Sequence, residues 1–141
     1  MVHPELRPFL EKAQSSLQAA EVLFEHHLYP SSASRAYYAV FVGASLLLTE
    51  MSSRKPISIK TMRIEWEHET VHSAFLNEFH ARRRLFTKED VDAYTKLREA
   101  RENADYGIVE LTPQRAKRLL TSSRQLLAKI EGLVEDAHQI G

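Results

Sequence analysis

Residues Ser31 to Met51, SSASRAYYAVFVGASLLLTEM, constrain the fold more than any other stretch of the chain. Ser31 and Ser32 are good N-caps directly after Tyr29 and Pro30, and no proline follows before Pro56, so the stretch predicts one long helix. Ala33, Tyr37, Val40, Ala44, Leu47 and Met51 mark one face. Tyr38, Phe41, Val42 and Leu48 carry the apolar surface much further round. A helix apolar on most sides has to be enclosed by others. Arg35 is the only charge between Ser31 and Thr49, so its guanidinium must reach a carboxylate or the bundle surface.

The remaining segments supply the enclosing helices. Leu6, Phe9, Ala13, Leu17, Ala20, Phe24 and Leu28 form a stripe over residues 4 to 28, with Pro4 and Pro8 tolerable only in or before the first turn. Ser52 to Pro56 reads as a loop. Ile59, Met62 and Trp66 suggest a short helix, and Val71, Phe75 and Phe79 a clearer one, with Thr70 as its N-cap. Thr87-Lys88-Glu89-Asp90 resembles a capping box opening a helix through Val91, Tyr94, Leu97 and Ala104, which Gly107 is placed to stop. Thr112-Pro113 is an N-cap followed by proline at the first helical position. Behind it, Leu119, Leu120, Ser123, Leu126, Leu127, Ile130, Leu133, Val134 and Ala137 make the cleanest amphipathic pattern. No stretch alternates with period two. The expected fold is all-α: an antiparallel up-and-down bundle of four long helices plus a short one, in a single domain spanning residues 1 to 141.

Lysine plus arginine equals aspartate plus glutamate at 19 each, so any nucleic-acid site must be a local patch. The absence of cysteine excludes disulfides and thiolate metal sites. The apolar run from Ala36 to Leu48 falls short of the ~20 residues a membrane span needs, and the N-terminus has no signal-peptide core, so a cytoplasmic protein is expected.

Three constellations could carry chemistry. Arg98, Arg101 and Asp105 share one helix face, with Tyr106 beside them. On a solvated face such a set is ordinary; alternatively, the planar guanidiniums grip phosphate while Asp105 holds one of them. His68-Glu69-Thr70-Val71-His72 matches H-E-x-x-H, the pattern of a zinc hydrolase, but Glu65 and Glu67 make the preceding turn acidic and no third ligand stands out. No metal or cofactor is therefore expected. Arg82, Arg83 and Arg84, followed by Phe86, form a basic bend that could serve RNA through charge and stacking.

Ser34-Arg35-Ala36-Tyr37-Tyr38-Ala39-Val40-Phe41, Thr70-Val71-His72-Ser73 and Arg101-Glu102-Asn103-Ala104-Asp105-Tyr106 resemble HEPN-domain proteins over roughly residues 5 to 135. The likeness is greatest to the small stand-alone prokaryotic branch often encoded beside a minimal nucleotidyltransferase (MNT). This resemblance implies a homodimer, an MNT partner in a toxin–antitoxin-like pair, and RNA or nucleotide binding at Arg98, Arg101, Asp105 and Tyr106; on charge alone Arg35, Arg82, Arg83 and Arg84 are further candidates for RNA or nucleotide contact. Nuclease members carry Arg, four to six residues, then His, and cleave RNA without metal. Here Tyr106 stands where the shortest form places His after Arg101, and Asp105 stands where the longest form, with six intervening residues, places it after Arg98. An ordinary aspartate titrates near ~3.9 and is a weak base at neutral pH. Two expectations follow: a binding protein with a degenerate motif, or a ribonuclease whose base is Asp105, Tyr106 or a distant histidine such as His72 brought close by the fold.

Overall fold

The computed structural model describes residues 4–51, 57–58, 63–64, 66–106 and 110–140, with the backbone alone at 57–58, 63–64, 105–106 and 137–140. The expected loop at Ser52–Pro56 and the stop at Gly107 lie outside these residues.

Helix α1 runs Arg7–Glu25 and α2 runs Tyr29–Met51. The central helix starts two residues earlier than its serines suggest, with Pro30 in the first turn, where its missing N–H costs nothing. Ser32 is therefore free of capping duty, and its hydroxyl donates to the Ala20 carbonyl at 2.7 Å. Ser16 likewise donates to the Arg35 carbonyl at 2.9 Å. These two bonds pair α1 and α2 antiparallel along their length, and they place small residues where two helices approach closely.

Between α2 and the next helix a short helix through Ile59, Met62 and Trp66 is expected; Ile59 and Met62 lie outside the described residues. Ile57–Ser58 (β1) and Arg63–Ile64 (β2) pair antiparallel, Ile57 opposite Ile64 and Ser58 opposite Arg63, and Trp66 follows outside any helix. The β-branched Ile57 and Ile64 prefer extended backbone. Trp66 is buried, its indole N–H donating to Thr49 Oγ1 at 3.0 Å, so the segment is fastened to α2 by a side chain.

Helix α3, His68–Ala74, begins two residues before Thr70, which is thus inside the helix. It continues as a π-helical stretch, Phe75–Arg82, and ends at Arg84 in the left-handed region (φ 55°), where Leu85 N–H reaches back to the Phe79 carbonyl. Phe75 and Phe79 face inward against Phe86 and Tyr94. Helix α4 spans Lys88–Tyr106. Its capping box is reciprocal: Asp90 N–H donates to Thr87 Oγ1 at 3.1 Å, and Thr87 N–H to Asp90 Oδ2 at 3.0 Å. Helix α5, Pro113–Ile140, opens with Arg115 N–H on Thr112 Oγ1.

The four long helices alternate in direction along the chain. Gln14 meets Glu131 and Arg124 meets Glu21, which sets α1 antiparallel to α5. Ser123 donates to the Ala36 carbonyl, while Leu127 and Ile130 lie over Gly43, so α2 and α5 run parallel as the second and fourth members of such a bundle. Helix α2 packs against α1, α3, α4 and α5 and is buried nearly throughout. The all-α bundle of four long helices and a short one is the fold observed.

Candidate active site

The fold brings α3 across the face of α2 and α4 that carries the arginines. Arg98 Nη1 lies 2.9 Å from His72 Nδ1, and His72 Nε2 lies 2.8 Å from Thr95 Oγ1, one turn back on α4. A guanidinium can only donate, so Nδ1 is the acceptor and the ring proton sits on Nε2, donated to Thr95. Arg98 also contacts Glu102 through Nε at 3.3 Å and keeps about a quarter (23%) of its side chain exposed. The Arg101 guanidinium lies 6.0 Å from the centre of the Tyr37 ring.

One turn up α3, His68 Nδ1 lies 2.6 Å from the Tyr37 hydroxyl, which receives a longer 3.4 Å bond from the Tyr94 hydroxyl. In the direction Tyr94 to Tyr37 to His68 each hydroxyl proton has an acceptor, which again puts the imidazole proton on Nε2. The His68 ring stacks on Phe41 at 4.1 Å. Both tyrosines are buried, and burial pushes the Tyr37 phenol above its usual range and Tyr94 well above it.

Electrostatics keep both imidazoles neutral. Burial lowers His68 below its ordinary 6.5, and the positive charges of Arg101 and Arg98 lower it further. His72 is lowered by burial and then by Arg98. The cluster is therefore two guanidiniums beside two uncharged imidazoles, on a half-exposed surface with Glu102 at its rim.

The other residues singled out in the sequence fall differently. Arg98 and Arg101 are together as expected. The side chains of Asp105 and Tyr106 lie outside the described residues. Arg35 is exposed on α2, its guanidinium thus at the bundle surface, and the described contacts do not join it to the cluster. Arg82 and Arg83 both bind Glu78, at 3.4 and 2.7 Å, and Arg84 is exposed at the same helix end, more than two turns beyond His72. The basic bend is thus a separate patch. The H-E-x-x-H residues do lie on one helix, yet they do not suit zinc. His72 has both nitrogens engaged, one by a cation, His68 is tied through Nδ1 to Tyr37, and Glu69 is exposed. Tyr37, Tyr94 and Thr95 were not expected at a site; their spacing reads as ordinary helix packing, and only the docking of α3 gives them polar partners.

Comparison with known proteins bears on what this arrangement is for. The model of the HEPN domain matches residues 6–133. "Putative toxin MJ0605" of Methanocaldococcus jannaschii is 27% identical over 138 residues, covering 96% of this chain and 92% of that protein. "Putative toxin MJ0142" of the same organism is 32% identical over 131 residues, covering 89% and 78%. A UPF0332 protein of Thermotoga maritima is 30% identical over 126 residues, covering 89% and 87%. No described helix is long and apolar enough to cross a membrane.

Proposed function

The chain belongs to the HEPN domain family, and from that premise we propose that it is a toxin-like, metal-independent ribonuclease whose base is His72. The observation that carries this reading is the 2.9 Å approach of Arg98 to His72 Nδ1, with the far nitrogen anchored on Thr95. A base oriented by a third group and standing beside a phosphate ligand is the arrangement that general base catalysis requires. Its lone pair is occupied by Arg98 in the free protein. When Arg98 turns onto a phosphate oxygen, Nδ1 is released next to the ribose.

In this reading Arg98 and Arg101 hold the scissile phosphate, and His72 Nδ1 takes the proton of the 2′-hydroxyl. The 2′-oxygen attacks phosphorus, the bond to the 5′-oxygen breaks, and that oxygen leaves as a hydroxyl with a proton from solvent. The products are a 2′,3′-cyclic phosphate and a 5′-hydroxyl end. The two relatives named as toxins support a deleterious activity, and the reading includes a homodimer and an MNT nucleotidyltransferase as the controlling partner. Incubation of the protein with single-stranded RNA in EDTA tests it. The wild type is expected to cleave RNA and spare DNA of the same sequence, and Arg98→Ala and Arg101→Ala to lose most of the activity. Intact RNA with the wild type would refute the nuclease.

A further inference from the structure

We propose that His68 is a second phosphate-contacting residue of this site, a neutral Nε2–H donor to the RNA phosphate, and that Tyr37 is the residue that positions it. The inference rests on the reading that Arg98 and Arg101 take an RNA phosphate, and it does not depend on whether that RNA is then cut.

The case starts from two buried hydroxyls. Tyr94 and Tyr37 form a chain that ends on His68 Nδ1 at 2.6 Å, the shortest hydrogen bond made by either histidine in the cluster. A phenol that donates to Nδ1 fixes the tautomer and directs the ring proton to Nε2. One face of the ring is stacked on Phe41 at 4.1 Å, and Tyr37 holds its Nδ1 edge, the two ring centres 5.6 Å apart. Nε2 itself meets no hydrogen-bond partner among the described residues, and since no buried side-chain nitrogen or oxygen among them lacks a partner, this N–H is open to solvent and to a ligand. Arg101 lies 6.0 Å from the centre of the Tyr37 ring whose hydroxyl holds His68, so the imidazole belongs to the neighbourhood of the guanidinium pair.

An uncharged donor suits that place. A third cation beside Arg98 and Arg101 would be repelled, whereas an imidazole N–H adds a directed bond to an anion without adding charge. Burial and the two arginines hold His68 neutral, in agreement with the tautomer that the tyrosine chain selects. The H-E-x-x-H spacing then has a use unrelated to metal. It sets one imidazole at Nδ1 against Arg98 and the other, a turn away, with its N–H outward.

Binding of a fluorescent single-stranded oligoribonucleotide, together with nitrogen-15 spectra of the histidine rings, tests the assignment. In the free wild type His68 is expected as the Nε2–H tautomer, and its Nε2 resonance should move on addition of RNA. His68→Ala should weaken binding roughly tenfold, and His68→Gln, which keeps a side-chain N–H, should recover part of the loss. Tyr37→Phe keeps the ring and its packing but should shift the His68 tautomer and weaken binding comparably. A role in packing alone would leave the tautomer and the glutamine rescue unexplained. An unmoved His68 resonance, with His68→Ala binding within twofold of wild type, overturns this assignment while leaving the arginine site standing. No RNA binding by the wild type overturns both. Binding without cleavage overturns only the nuclease.

Discussion

The contact between Arg98 and His72 joins residues 26 apart in sequence, and it decides how the missing histidine of helix α4 is to be understood. Truncating His72 to Ala removes the proposed base and also frees Arg98 from one of its partners. Cleavage is therefore expected to fall about 100-fold or more, while RNA binding is retained. A measured kcat/KM that drops with unchanged RNA affinity would match this. The same two histidines set a pH dependence of stability. Both are held below their ordinary 6.5 in the fold, so between the folded and unfolded values the unfolded chain binds more protons. Their contribution is fully present above about pH 6.5 and is lost as the pH falls through the lowered values. Thermal melts should be flat from pH 7 to 8 and decline below 6.5, with a shallower decline in His68→Gln. Sequence reasoning found Arg98 and Arg101 because i, i+3 spacing on a helix is visible without a fold. It named His72 only as a distant substitute, because nothing local to either helix records that α3 crosses α4 at that turn.

At the scale of elements, the helices were legible wherever capping chemistry or periodicity was local. Thr87 and Asp90, Thr112 and Pro113, and the stripe of α5 all stand where the sequence places them. The differences have two causes. Tyr29-Pro30 and Thr70 carry ambiguous signals, since proline suits either the end of one helix or the first turn of the next, and tertiary packing chose between them. Trp66, expected on a short helix, stands outside any helix, since one large apolar residue with few apolar neighbours sets no period. Gly43 shows what packing demands of α2. A Cβ there would come within 2.9 Å of Leu127 Cδ1 and 3.2 Å of Ile130 Cγ2, both on buried side chains of α5. Gly43→Val should therefore destabilise the protein by about 1–3 kcal/mol despite the loss of a helix-weakening glycine. Chemical denaturation would reveal the change, and an unaltered midpoint would mean that α5 yields easily.

The whole molecule has no net charge, yet its charges are sorted. A groove of about 910 Å³ runs between α4 and α5, with Glu89, Asp92 and Glu99, and one lysine, Lys96, on the α4 wall, and Arg115, Lys117 and Arg118 on the other, so the walls are predominantly acidic and basic. Two copies related by a two-fold axis can oppose acidic wall to basic wall twice over, which gives the proposed homodimer a self-complementary surface. Sedimentation should show a dimer that dissociates more readily at high salt and in the double variant Lys117→Glu, Arg118→Glu; a dimer indifferent to both would place its interface elsewhere. Composition could exclude a broadly basic nucleic-acid binder, but it could not reveal this sorting, which depends on which faces α4 and α5 turn to each other. In the proposed function an arginine pair and a histidine from a different helix cleave RNA without metal. The most direct test is to identify the ends produced from a single-stranded RNA in EDTA by the wild type and by His72→Ala. The wild type should yield 2′,3′-cyclic phosphate ends and the variant almost none. Equal yields from both would contradict this, because the base would then lie elsewhere.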